Sequence, residues 1–266
     1  LKPIIDRNKM IMSLPIIDKV IQKKILKELT AAFGGNFYEV IIGGAAFNPE
    51  VEAFFKKIGF PLTVGYGMTE CAPIITYADW KEARLTSCGR EVMNMKVRID
   101  SSDPENIPGE IQVSGPNVFL GYYKNEQATA EVTTDDGWFR TGDMGIIDKD
   151  GFLYIRGRSK CMILGPSGQN IYPEEIETVL NSLNYVVDSL VIEDHGNLVS
   201  LIFPDYHQAE LDGLSKEQLE ERINAVLPEI NKQIPNYAKI SKIEFLPEDF
   251  ERTPKRSIKR YLYQRN

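Results

Sequence analysis

The stretch "FYEVIIGGAAFNPEVEAFFKKIGFPLTVGYG", residues 37 to 67, constrains the fold more than any other. A short β-rich apolar run closes on two glycines. The segment "NPEVEAFFKKIG" follows, with Asn48 placed as an N-cap and Pro49 at the first helical position, and then a second apolar run, "PLTVGYG". Strand, glycine turn, helix, strand is the alternation of a parallel α/β sheet, which places its loops, and hence its ligands, at the strand ends.

The pattern changes on either side. The opening stretch to about residue 34 reads as amphipathic helix with no initiating strand, and a chain that starts with Leu in mid-pattern looks cut from something longer. From 86 to 156, "GEIQVSG", "GWFRTGDMGIID" and "GFLYIRGR" are short alternating strands broken by Gly, Pro and Asp, the signature of a small antiparallel barrel or sheet. Beyond Arg158 come a helix, "YPEEIETVLNSL", a hairpin turning at His195-Gly196-Asn197, and a helix opened by a Ser215/Gln218 capping box. The expected class is therefore α/β plus α+β: a partial α/β sheet subdomain over 1–85, a β-barrel-like subdomain over 86–158, and a separate α+β domain over 159–266.

Charge and cysteine content narrow the function classes. With 42% hydrophobic and 26% charged residues over 266 positions, the chain can bury a real core. Its formal charge of -7 gives no support to nucleic acid as a partner. Cys71, Cys88 and Cys161 are far apart and have only His195 and His207 to help them. That argues against structural zinc and a disulfide framework and fits a reducing cytoplasm. No apolar run reaches the roughly 18 residues of a membrane span. Both histidines read as surface or turn residues, and "DKDG" at 148–151 reads as a hairpin turn rather than a calcium loop.

Two stretches carry candidate chemistry. "VGYGMTE" puts glycines on both sides of Tyr66 and follows them with Thr69 and Glu70. Backbone can approach a ligand there, an aromatic face is offered, and a hydroxyl beside a carboxylate suits a phosphate with its magnesium. From these residues alone, an ordinary strand-to-loop turn with a buried tyrosine reads slightly better. In "RTGD", Asp143 either initiates a turn or accepts the hydroxyls of a ribose.

Taken in order, "GGAAFNPE", "VGYGMTE", "GEIQVSGPNVFLGYY", "GWFRTGD", "GFLYIRGRSK" and "SGQNIYPEEIE" resemble the motifs of the adenylate-forming enzymes, the acyl-CoA synthetases and their relatives. "GRSKCMILGPSGQNIYPEEIE" and the ending "TPKRSIKR" look most like long-chain fatty-acid CoA ligases. The resemblance implies a two-step reaction. A carboxylate attacks the α-phosphate of ATP to give acyl-adenylate and pyrophosphate, and the thiol of coenzyme A then displaces AMP. It also implies roles by matching motif. Gly44 and Ala45 line the adenine pocket, with Tyr66 stacking on the base and Gly67 beside it. Thr69 contacts the α-phosphate, Glu70 the magnesium, Asp143 the ribose hydroxyls, and Arg158 the ribose or phosphate. Lys160 stands at the hinge of a mobile C-terminal lid, and Gly168 lies where the pantetheine arm enters.

Two departures qualify the resemblance. The family's phosphate-wrapping glycine-rich loop has no counterpart here and belongs upstream of residue 1, so a fragment inactive by itself is expected, as is either self-association through the uncovered sheet edge or a locally rearranged N-terminus. Membrane contact, if the parent has any, belongs to that upstream half. At the other end, Ser257 stands where the family carries its adenylation lysine, with Lys255 and Lys259 two residues to either side. Lys259 is the expected substitute. Two other readings stay open: a ligase that loads a carrier protein's phosphopantetheine arm, and a non-catalytic nucleotide-binding module that kept the fold.

Overall fold

The structure is a computed structural model and describes residues 15–165, 168–254 and 256–265. It divides into two compact units. One takes the described residues up to Thr141 together with Gly145–Ile155; the other takes Gly142–Met144 and the described part of Arg156–Asn266.

In the first unit, helix α1 (Pro15–Ala32) leads into strand β1 (Val40–Ile42), helix α2 (Pro49–Ile58) and strand β2 (Leu62–Val64). The part of the expected opening helix before residue 15 lies outside the described residues. Local chemistry delimits α2 at both ends. The Asn48 Oδ1 accepts from the Glu50 and Val51 amides at 2.9 and 3.1 Å, and Gly59, at φ 74°, closes the helix with its amide on the last carbonyls. The buried face carries Phe54, Phe55 and Ile58, which pack with Phe60 and with Ile25, Leu26 and Leu29 of α1. β1 and β2 pair in parallel, Val40 with Leu62 through Ile42 with Val64.

"PLTVGYG" is two strands rather than one. After β2 the chain breaks at Gly65 and resumes as β3 (Tyr66–Gly67), which leaves the parallel pair and joins an antiparallel sheet of order β3-β4-β5 with β4 (Ile74–Tyr77) and β5 (Arg90–Glu91). Gly65 marks the switch because a Cβ there would stand 3.2 Å from the Ile74 side chain and 3.3 Å from the Thr76 carbonyl.

The expected barrel-like part is an open four-stranded sheet, order β6-β7-β8-β9, formed by Lys96–Asp100, Gly109–Ser114, Phe139–Ile147 and Leu153–Arg158. No sheet among the described residues closes into a barrel. Two edges remain because no further strand joins β6 to β9. A short helix, α3 (Glu126–Glu131), interrupts the path from β7 to β8. Ile75, Ile111, Val113 and Leu153 are fully buried in the core beneath these sheets.

The second unit continues through the small hairpin of β10 (Ile163–Leu164) and β11 (Asn170–Ile171) into helix α4 (Pro173–Leu180). A second hairpin follows, β12 (Val186–Asp194) and β13 (Asn197–Pro204), turning on His195 and Gly196 at φ 51° and 79° as its sequence requires. Helices α5 (Tyr206–Leu211), α6 (Lys216–Asn224) and α7 (Leu227–Gln233) then cross over to β14 (Ile240–Phe245), which pairs in parallel with β13. A parallel neighbour needs such a crossover. The Ser215/Gln218 capping box is formed in full. Leu180, Leu219, Ile202 and Ile230 fill the core between helices and sheet, and each such buried side chain contributes about 1.5–3 kcal/mol relative to exposure.

Candidate active site

The parallel pair brings two of the quoted glycine segments together. The Gly65 amide donates to the Ile42 carbonyl at 2.8 Å, and a Cβ on Gly43 would meet the Gly65 carbonyl at 3.4 Å. Gly44 and Ala45 are therefore exposed at the carboxyl end of β1, next to the segment that carries Tyr66 and Gly67 at the carboxyl end of β2. This is the edge of an α/β sheet where ligands bind. Gly44 adopts φ 88°, a conformation that L side chains rarely take.

Tyr66 differs from its expected role in one respect. It is only 7% exposed and packs in the core with Val64, Cys71 and Ile75, so little of its ring is open for a base to stack on. Gly67 is glycine for a steric reason: a Cβ would lie 2.0 Å from the Pro73 carbonyl oxygen. That close approach folds residues 68–73 into a tight loop, with the Met68 amide donating to the same carbonyl at 2.8 Å. The loop carries Thr69, exposed, and Glu70, half-buried, on one 3₁₀ turn (Thr69–Cys71).

Two residues that sequence reasoning missed hold this turn. Asn117 Nδ2 donates to the Cys71 and Ile74 carbonyls at 2.7 and 3.0 Å, and the Tyr122 hydroxyl donates to Glu70 Oε1 at 3.1 Å. Partial burial, then the Glu70 carboxylate, push the Tyr122 phenol upward, so it remains a donor. Both residues lie in "GEIQVSGPNVFLGYY", whose aromatic and amide ending was the available signal. Among the described residues no group of three His, Cys, Asp or Glu side chains could form a metal cage. Glu70 alone suits a magnesium ion whose other ligands are phosphate oxygens and water.

In the second unit, β8 and β9 set Asp143 beside Arg158, with Arg158 Nε 3.5 Å from Asp143 Oδ1. Asp143 lies within a strand rather than initiating a turn. Its side chain is 15% exposed against 72% for Arg158. Ser159 Oγ donates to the Gly142 carbonyl at 3.1 Å, tying the chain that leaves β9 to β8. Lys160 follows, exposed, on a 3₁₀ turn (Ser159–Cys161). Gly168 sits at φ 81° in the β10–β11 connection, where a side chain would meet nothing within 4 Å; Pro166 and Ser167 lie outside the described residues.

The C-terminal motif forms a short loop closed by the Arg252–Ile258 bridge, in which the Thr253 amide donates to Ser257 and the Lys259 amide to Glu251, both at 2.8 Å. Lys259, the expected cation, is already engaged: its Nζ donates to Glu251 Oε2 at 3.0 Å, and that carboxylate raises its pKa. Lys255 lies outside the described residues.

The sequence model of the AMP-binding enzyme matches residues 9–123, and that of the AMP-binding enzyme C-terminal domain matches 162–266. The chain belongs to the adenylate-forming, AMP-binding enzyme family. It is 31% identical over 261 residues to the long-chain-fatty-acid–CoA ligase FadD15 of Mycobacterium bovis, covering 91% of this chain and 42% of that protein. It is 39% identical over 180 residues to the 2-succinylbenzoate–CoA ligase of Bacillus cytotoxicus, covering 64% of this chain and 37% of the relative. Among solved structures, O-succinylbenzoate CoA synthetase from Bacillus subtilis in complex with its acyl-adenylate superposes with a TM-score of 0.72 at 25% identity, covering 91% of this chain and 49% of that one. The same enzyme with ATP and magnesium gives 0.67 at 26%, covering 88% and 49%. The chain thus spans less than half the length of these relatives.

Proposed function

We propose that this chain forms the C-terminal portion of an AMP-forming acyl-CoA ligase acting on long-chain fatty acids. The observation that carries the reading is the meeting of the Gly43–Gly44 and Gly65–Gly67 segments at the carboxyl ends of β1 and β2, with the Thr69–Glu70 turn continuing directly from them. In this reading Gly44 and Ala45 leave room for the adenine, and Tyr66 backs it. Thr69 donates to the α-phosphate. Glu70, oriented by Tyr122, would hold magnesium, which when bound neutralises phosphate charge. Asp143 accepts from the ribose hydroxyls, and Arg158 lies beside it to meet ribose or phosphate.

The chemistry follows from leaving groups. A carboxylate is a poor acyl donor because oxide leaves badly, whereas AMP leaves readily once its charge is neutralised. Lys160, exposed just after β9, serves as the hinge about which the 159–266 domain turns between adenylation and thiol attack, with coenzyme A entering past Gly168. Such closure keeps water from a hydrolysable adenylate. The phosphate loop is supplied by residues outside this chain, so the chain alone does not turn over.

A second reading of the acyl substrate has its own support, since the 2-succinylbenzoate–CoA ligase is 39% identical over the 180 residues that align with it. Carboxylate-dependent ATP–pyrophosphate exchange in the enzyme that contains this chain, run with hexadecanoate and with 2-succinylbenzoate, decides between them. Exchange with hexadecanoate is expected. Exchange with neither, together with no AMP binding by calorimetry, would refute the ligase reading.

A further inference from the structure

The motif between Glu251 and Arg260 carries five cationic residues, four of them described, and their environments differ sharply. Arg252 is held on Asp249 at 2.8 Å and Asp188 at 3.0 Å. Lys259 is on Glu251. Arg260 is largely buried against Glu177, with Glu174 at 3.8 Å. Each of these charges is offset by a carboxylate. Arg256 is the exception. It is exposed, and among the described residues its guanidinium has no hydrogen-bond or ion-pair partner.

Its backbone is the opposite of loose. Arg256 adopts φ 63°, in the left-handed region that a bulky L residue enters only when its surroundings enforce it. The enforcement is visible on both sides of the peptide. The Arg256 amide donates to the Thr253 carbonyl at 2.8 Å, and the Arg256 carbonyl accepts from Arg252 Nη1 at 3.3 Å. Arg252 is itself anchored on two aspartates, so the Arg256 peptide is tied to the second unit while its guanidinium, uncompensated among the described residues, is exposed. A left-handed backbone position tied at its amide and its carbonyl, ending in a fork of five donors with no partner among the described residues, suits a pair of phosphate oxygens.

Resting on the ligase reading above, we propose that Arg256 is the cation this loop presents to the phosphates of ATP in the adenylation step, taking over the task for which Ser257 carries no charge. As the carboxylate oxygen bonds to the α-phosphorus, the bond to the bridging oxygen of pyrophosphate breaks and negative charge gathers on the departing group. A guanidinium placed there stabilises that charge without moving a proton. Lys259 would first have to leave Glu251, whereas the Arg256 guanidinium has no partner among the described residues to give up.

Two measurements test this. On the chain as it stands, phenylglyoxal labelling mapped by mass spectrometry should modify Arg256 far faster than Arg252 or Arg260; labelling as slow as that of Arg260 would overturn the unpaired state. In the enzyme that contains this chain, Arg256→Gln should lower pyrophosphate exchange about 10²-fold, the scale for losing one transition-state charge contact. Thioester formation from preformed acyl-adenylate should change less than about threefold, Arg256→Lys should recover part of the exchange, and adding Ser257→Lys to Arg256→Gln should restore it, a rescue that repair of a folding defect would not give. Exchange within about twofold of wild type in Arg256→Gln, or a larger loss in Lys259→Gln, overturns the assignment and leaves the ligase reading standing. A wild-type enzyme without exchange overturns both.

Discussion

The Tyr122 hydroxyl donates to Glu70 Oε1 across 52 residues of sequence, joining the end of the "GPNVFLGYY" segment to the acidic turn that follows Gly67. The ring is itself set by an edge-on contact with Phe119 at 4.8 Å. Tyr122 thus orients the one carboxylate of this turn, the group to which the proposed function assigns magnesium.

Tyr122→Phe keeps the ring and removes only the donor. Losing a hydrogen bond to a charged group costs about 1.5–3 kcal/mol where the partner cannot recover it in water, and Glu70 is half open, so the folding cost should fall below that range. The functional effect should appear in the enzyme's magnesium dependence. A several-fold higher magnesium requirement for pyrophosphate exchange is expected, and an unchanged magnesium titration would remove Tyr122 from the site.

Gly67 tests a different kind of role. A methyl group there must displace the Pro73 carbonyl, which is backbone and cannot rotate away, so Gly67→Ala should destabilise the first unit by about 1–3 kcal/mol, the usual cost of overpacking. Urea unfolding followed by Trp80 and Trp138 fluorescence measures it. A stability equal to wild type would mean that the loop carrying Thr69 and Glu70 can relax.

Much of the fold was legible because its causes are local. Asn48 with Pro49, the Ser215/Gln218 box and the His195-Gly196 turn each act within four residues, and each formed as read. What could not be read depends on partners distant in sequence. Nothing in "PLTVGYG" states that Gly65 divides two sheets; the reason is the Ile74 side chain and the Thr76 carbonyl packed over it. Nothing in "GFLYIRGR" states that β9 ends an open sheet. The site divides the same way. The glycine positions are visible as backbone requirements, while the Tyr122–Glu70 and Lys259–Glu251 pairings arise only in the folded chain.

Glu177 should give the second unit a distinctive pH dependence. It lies at 9% side-chain exposure between Arg260 and the Val191 amide, which donates to it at 2.7 Å. Burial outweighs both partners and pushes its carboxyl up to about 7. A carboxyl raised in the folded state binds its proton more tightly there than when unfolded. Its contribution is therefore fully present below the ordinary value of about 4.5 and is lost as pH rises through about 7. That gap caps the loss at about 3 kcal/mol. Glu177→Gln has no proton to lose, so wild type should decline relative to it between pH 5 and pH 8 in urea unfolding. A constant difference across that range would show that the carboxyl is ionised throughout.

Asp143 and Arg158 separate stability from binding most cleanly. Arg158 is 72% exposed and 3.5 Å from Asp143 Oδ1, and an ion pair so open to water contributes about 0–1 kcal/mol. Losing that pair by neutralising Asp143 to Asn should therefore lower the urea midpoint only slightly. If the same carboxylate accepts from the two ribose hydroxyls, the substitution should weaken AMP binding by about 1.5–3 kcal/mol, the scale for hydrogen bonds to a charged group. Arg158→Gln should cost binding as well, and less, because an exposed guanidinium reaches the ligand through water-screened contacts. The double variant reads the coupling. If Asp143 holds Arg158 in place for the ligand, the two losses will not add; if each meets the nucleotide separately, they will. Equal AMP affinity for wild type and Asp143→Asn, with the midpoint lowered instead, would mark this pair as a support for the β8–β9 end and not as part of the nucleotide site.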